Sequence, residues 1–237
     1  MSPASGCGRV ARASEYHESR WEAIPAGLEP VDFQARLAYL LAHLQAAERV
    51  LDVGCGEGRF TAVLADAGVH VVGIDVAQEP LRRARDIHSA AGPRADLAPR
   101  SSDLAPRPGL DLRVVPAEGP WPLKDASFDA VWAGEVIEHV ADTAGWLSEV
   151  RRVLRPGGRL LLSTPAHGRL RLLGLALSGR AFAAHFDPLS DHLRFYSRAT
   201  LAELLGEFGF AEIAISGLGG VPGARRTLLA VAQRTRW

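Results

Sequence analysis

LDVGCGEGRF, residues 51–60, sets glycines at 54, 56 and 58 directly after an apolar run and ahead of residues able to start a helix. Three such glycines permit positive φ and carry no Cβ, so a ligand can lie against bare backbone while the next helix offers its free N–H groups. A dinucleotide fingerprint needs G-x-G-x-x-G, whereas here the third glycine comes one place early and position 59 is arginine. A pyrophosphate cradle is therefore disfavoured. Asp52, just before the turn, is placed to meet an ammonium or a hydroxyl, or to cap the loop. Asp75 closes the next apolar run, where a carboxylate can accept both hydroxyls of a ribose. Two acids without a pyrophosphate cradle point to a nucleoside that carries an amino acid.

Outward from that turn, element types alternate. Residues 31–48 repeat Phe33, Leu37, Leu40, Leu41 and Leu44 at helical spacing and predict an amphipathic helix leading into the buried strand RVLDVG. GRFTAVLADAG predicts a helix closing on Gly68, VHVVGIDV a second strand, and AQEPLRRARDIHSAAG a helix with a basic outer face. Residues 92–109 hold DLAPR twice; two copies of five residues build no repeat architecture, so the stretch reads as a proline-rich surface insertion. Strands follow at LDLRVVPAE and SFDAVWAG, the latter running into a short helix, with Phe128 and Trp132 as core. A helix ended by Pro-Gly-Gly, the strand RLLLSTP, a helix at RATLAELLGEFGF and the strands AEIAISGLG and RRTLLAVAQR complete the chain. The alternation predicts an α/β fold: a doubly wound, mostly parallel seven-stranded sheet with helices on both faces.

Residues 31–237 are expected to form this one domain. Residues 1–30 are either a frayed tail or a segment that closes over the cofactor through Tyr16 and Trp21. Residues 166–197, mixing leucines and phenylalanines with His167, His185, His192 and Tyr196, are either a substrate lid or an ordinary cap helix.

Charge bounds the partners. Lys+Arg and Asp+Glu both number 27 in 237 residues, so no global field attracts nucleic acid or an anionic membrane, and a polyanion would need a local patch. Cys7 and Cys55 make neither a disulfide framework nor a zinc spacing, which favours a reducing, cytoplasmic setting. RLRLLGLALSGRAF, the most apolar stretch, is broken by Arg171, Gly174 and Arg180, so no membrane span is expected.

VLDVGCGEG, VVGIDVA, PAEGPWPLKDASFDAVWAGEVIEHV and VRRVLRPGGRLLLSTP together resemble the motifs of class I S-adenosylmethionine-dependent methyltransferases, in particular the methyltransferase-domain group that includes ubiquinone-biosynthesis-like enzymes. The likeness covers Arg49 to Gly158 by motif and implies a Rossmann-like methyltransferase fold with S-adenosyl-L-methionine as cofactor. It implies that the backbone from Gly54 through Cys55 and Gly56 to Gly58 packs on the methionine moiety, that Asp75, next to Val76, holds the ribose, and that Ala117 and Glu118 flank the adenine. Asp52 and Glu135 complete the expected cofactor set. One departure stands at Pro116, where family members often carry an acid.

GEVIEHV puts Glu135, Glu138 and His139 at the substrate side; on a helix these are i, i+3 and i+4, one face. His139 is the candidate general base with Glu138 beside it. The same residues could instead cap and orient the turn, or join Asp191 or His192 in holding a divalent cation. The expected function is methyl transfer to a small-molecule acceptor at a hydroxyl oxygen, with no resident metal. The alternatives are a metal-assisted RNA 2′-O-methyltransferase and a non-catalytic cofactor-binding scaffold.

Overall fold

The computed structural model describes residues 7–90, 110–188 and 190–236; the expected insertion at 92–109 lies outside the described residues. In chain order the elements are α1 (Cys7–Ala23), α2 (Phe33–Ala42), β1 (Arg49–Val53), α3 (Arg59–Asp66), β2 (His70–Asp75), α4 (Gln78–Ala90), β3 (Asp111–Val114), β4 (Phe128–Gly134), α5 (Thr143–Val153), β5 (Leu154–Pro165), α6 (Arg169–Ala176), α7 (Gly179–His185), α8 (Arg198–Glu207), β6 (Phe210–Val221) and β7 (Ala224–Arg234). A single 3-10 turn, Ile137–His139, follows β4.

All seven strands form one sheet in the order β3-β2-β1-β4-β5-β7-β6. β1 to β5 pair in parallel, while β7 runs antiparallel to both β5 and β6. Parallel neighbours need a crossover segment, whereas β6 and β7 are joined by two residues, so that edge folds as a hairpin.

Strands covered on both faces must be apolar on both, and β1 meets that demand with Val50, Leu51 and Val53. Val50 enters one core with Phe33, Leu37 and Leu40 of α2 and Phe60 and Leu64 of α3. Leu51 and Val53 enter the other, with Trp146, Leu147 and Val150 of α5 and Leu201 and Leu205 of α8. Phe128 and Trp132 are both buried, but in opposite cores, since β4 shifts register against β5 between Phe128 and Ala130.

Three boundaries differ from the sequence expectation. Strand β5 starts at Leu154 and passes through Pro156, Gly157 and Gly158, where a helix end was expected. Residues 166–197 contain two short helices, α6 and α7, neither of which buries a residue. The N-terminal stretch is a helix of 17 residues, α1.

Candidate active site

The strand order reverses between β1 and β4, and ligands of such sheets bind beyond the strands' carboxyl ends at that point. A cavity of about 240 Å³ lies there, bounded by the ends of β1, β2 and β4, by residues 115–117, by Asp191, and by His17, Arg20, Trp21 and Ile24 of the N-terminal segment.

Bare backbone is needed at Gly54: its φ is +66°, and an added Cβ would lie 2.5 Å from Val136 Cγ2. Asp75, on the cavity wall, is held by the Gly56 N–H at 3.0 Å on Oδ2 and the Ala77 N–H at 2.9 Å on Oδ1. Each carboxylate oxygen has a second lone pair, so the group can still accept a vicinal diol. Burial pushes its pKa up, and the backbone N–H groups oppose that. Val76 and Ala117 also line the cavity, and Ile74, Val115, Trp121, Val140 and Trp146 give it an apolar slot suited to a flat base.

Five expected cofactor residues lie off this wall, Gly56 beneath Trp21 among them. Asp52 is buried behind it, its Oδ2 accepting from Thr61 Oγ1 at 2.6 Å, and burial pushes its carboxyl up to about 7. Cys55 packs with Leu81, Ala84 and Leu112 under the turn. Gly58 is the left-handed N-cap of α3. Glu118 is drawn away because its Oε1 accepts from the amides of Ala141 and Asp142, at 3.2 and 3.3 Å. Pro116 keeps a role through its carbonyl, which accepts from Trp121 Nε1 at 3.0 Å.

Glu135, Glu138 and His139 do not share a helical face. Glu135 has φ +59° and precedes the 3-10 turn, in which successive side chains diverge by a third of a turn. Glu135 and His139 line the cavity, whereas Glu138 turns inward, where Thr164 Oγ1 donates to its Oε2 at 2.9 Å. Burial, followed by the neighbouring Glu135, pushes Glu138 up to about 8. Its Oε1 is buried without a hydrogen-bond partner, 4.0 Å from His139 Nε2. His139 Nδ1 lies 2.9 Å from the Asp191 carbonyl oxygen; a carbonyl can only accept, so Nδ1 carries the proton and Nε2 the lone pair. Burial lowers the His139 pKa. The ligand atoms of Glu138, His139 and His192 all lie within 4.8 Å of one another; the Asp191 carboxylate instead pairs with Arg20 at 3.0 Å.

One feature escaped the sequence reading. Arg36 is a buried cation whose Nη1 donates to the Val31 carbonyl; Glu135, Glu138 and Asp52 are the acids around it, and desolvation lowers its pKa nonetheless. Its signal was a charge inside the apolar stripe of α2. Of the two forms expected for the N-terminal stretch, a frayed tail or a cover through Trp21, α1 takes the second and reaches the cavity. Glu18 accepts from the amides of Gln78 and Glu79 at the start of α4, Arg83 donates to the Trp21 and Ile24 carbonyls, and a Cβ on Gly56 would come within 3.0 Å of Trp21.

A family model described as a methyltransferase domain matches residues 28–215. The ubiquinone biosynthesis O-methyltransferase of Xanthomonas axonopodis pv. citri is 31% identical over 234 residues, covering 92% of this chain and 91% of that protein. The protein of the same name from Burkholderia pseudomallei is 30% identical over 197 residues, covering 82% and 78%. Among solved structures, Burkholderia thailandensis 1,6-didemethyltoxoflavin-N1-methyltransferase, with S-adenosylhomocysteine bound, matches with a TM-score of 0.63 at 20% identity over 99% of this chain and 92% of that one.

Proposed function

The chain belongs to the methyltransferase-domain family and uses S-adenosylmethionine, and from that premise we propose that it moves the methyl group onto a hydroxyl oxygen of a small-molecule acceptor. The observation that carries this reading is His139, on the cavity wall with its Nδ1–H committed to the Asp191 carbonyl and its Nε2 lone pair free. An amine attacks with its own lone pair, whereas a hydroxyl must lose a proton, which a neutral imidazole can take. Both relatives carry O-methyltransferase names.

When bound, S-adenosylmethionine supplies the methyl group as a sulfonium. Asp75 would hold the ribose hydroxyls, Ala117 and the apolar slot the adenine, and Glu135 the ammonium, with buried Arg36 balancing the acids behind it. The apolar walls exclude water and align the acceptor, the main requirement of an in-line displacement. The acceptor's proton goes to His139 Nε2, and Asp191 Oδ2, 3.7 Å from Nδ1, faces the imidazolium that forms. The products are a methyl ether, S-adenosylhomocysteine and a proton released from His139. The test is turnover of methyl-labelled cofactor over paired hydroxyl and amine acceptors, with the product's methyl located by mass spectrometry. Label on nitrogen or carbon refutes the reading, and no turnover with any acceptor favours the scaffold.

A second reading rests on the Glu138, His139 and His192 cluster. One carboxylate oxygen without a partner and two imidazoles suit a divalent transition ion, and a ring whose other nitrogen is bonded to a carbonyl is oriented as metal-binding histidines are. Such an ion would hold the acceptor hydroxyl and ease its deprotonation. Loss of turnover after chelator dialysis, its return with Mg²⁺, Mn²⁺ or Zn²⁺, and calorimetric binding of the ion would favour it. The RNA-directed version further requires activity on an RNA 3′ end.

A further inference from the structure

We propose that the outer face of α6 and α7, with the tip of the β6–β7 hairpin, docks this protein onto an anionic lipid surface. Leu170, Leu173 and Leu177 recur at i, i+3 and i+7, one stripe of a helix, and are 60%, 58% and 83% exposed. Phe182 of α7, and Val221 at the hairpin end, extend the exposed apolar area. The hairpin adjoins the stripe, since a Cβ on Gly223 would lie 2.8 Å from Leu170 Cδ1. Contiguous exposed apolar side chains of this kind mark a surface that meets something less polar than water.

Charge identifies the partner. Residues 166–186 carry Arg169, Arg171 and Arg180 and no acid, in a chain whose overall charge is balanced. Arg226 joins this end, its carbonyl accepting from Arg171 Nη1, and its own charge adds to the burial that lowers the Arg171 pKa. Leucines and a phenylalanine set among arginines suit an interface of acyl chains under anionic headgroups. A second copy of the same face would bring the arginines together, and an acidic protein groove would leave the leucine stripe in water. Among the described residues no helix is long and apolar enough to cross a membrane, so the contact is peripheral.

The test is co-sedimentation of the full chain with phosphatidylcholine vesicles containing about a third phosphatidylglycerol, against phosphatidylcholine alone. Binding is expected only to the anionic vesicles, and it should weaken as salt rises. A charged residue near such a surface is worth roughly fivefold in partitioning, so Arg169→Gln with Arg180→Gln should weaken binding about 25-fold. Leu173→Glu with Leu177→Glu should abolish it. Calorimetric titration with S-adenosylhomocysteine shows whether each variant retains its fold and cavity. The proposal is overturned if the wild-type chain ignores anionic vesicles, if it binds neutral ones as well, or if the folded variants bind unchanged. It is also overturned if the leucine variants instead turn a dimer into a monomer in sedimentation.

Discussion

Replacing Asp52 by asparagine should change how stability depends on pH. Asp52 is buried, and its carboxyl is raised from 3.8 to about 7 chiefly by loss of water, with the Thr61 hydroxyl and Arg36 pulling the other way. Because the folded value lies above the unfolded one, the native chain keeps a proton that the unfolded chain has shed. Stability is therefore greatest below pH 3.8, falls as pH rises through the interval, and levels off above about 7. At 1.36 kcal/mol for each pH unit of separation, the whole interval amounts to about 4 kcal/mol, of which about 2.5 kcal/mol falls between pH 5 and pH 8. Asparagine has nothing to ionise and can still accept from Thr61, so Asp52→Asn should escape that loss. Urea unfolding of both proteins at pH 5, 6, 7 and 8, without cofactor, measures the difference. Glu138 titrates in an overlapping range but is present in both proteins and cancels. A stability gap that widens in favour of the variant by about 2.5 kcal/mol toward pH 8 is expected; a gap constant to within about 0.5 kcal/mol refutes the assignment of a neutral, buried Asp52.

Asp75→Asn, which loses the charge-assisted bonds to a diol, should weaken S-adenosylhomocysteine binding by about 10- to 100-fold in calorimetry; a loss under about threefold contradicts the ribose role. His139→Gln should cut kcat by about 10²- to 10⁴-fold while cofactor binding stays within about threefold, since the imidazole acts on the acceptor. Burial lowers the His139 pKa from 6.5, so the wild-type kcat should hold down through that pH and fall only below it, a limb that His139→Gln should lack; a wild-type midpoint above 6.5 would contradict the burial. Gly54→Ala forces a side chain into positive φ against Val136 and should cost about 2 kcal/mol in urea unfolding, with cofactor binding lost; a neutral outcome would mean the turn has more room than the 2.5 Å approach allows.

Features written in local chemistry were legible in the sequence. The glycine turn, the strands around it and the acid at the end of β2 needed only the spacing of apolar residues and glycines. Side chains whose partners come from remote segments were not. Glu118 looked available until the amides of Ala141 and Asp142 claimed it, and Asp52 until Thr61 did. Glu138 and His139 were read on one helical face, but a 3-10 turn sends one inward and one outward, and spacing alone cannot distinguish the two turn types. α1 was ambiguous because its docking depends on Arg83 and on the amides of Gln78 and Glu79, some 60 residues away. α6 and α7 bury nothing, so no core-facing pattern marked them.

The N-terminal helix roofs the cavity, with Trp21 over Gly56 and Arg20 tied to Asp191 on the far rim. If exchange of spent for fresh cofactor breaks that tie and lifts the indole, the rhythm of successive turnovers is set by a hinge as well as by bond making. Solvent viscosity and ionic strength then become handles on the catalytic cycle, although neither touches the atoms that react.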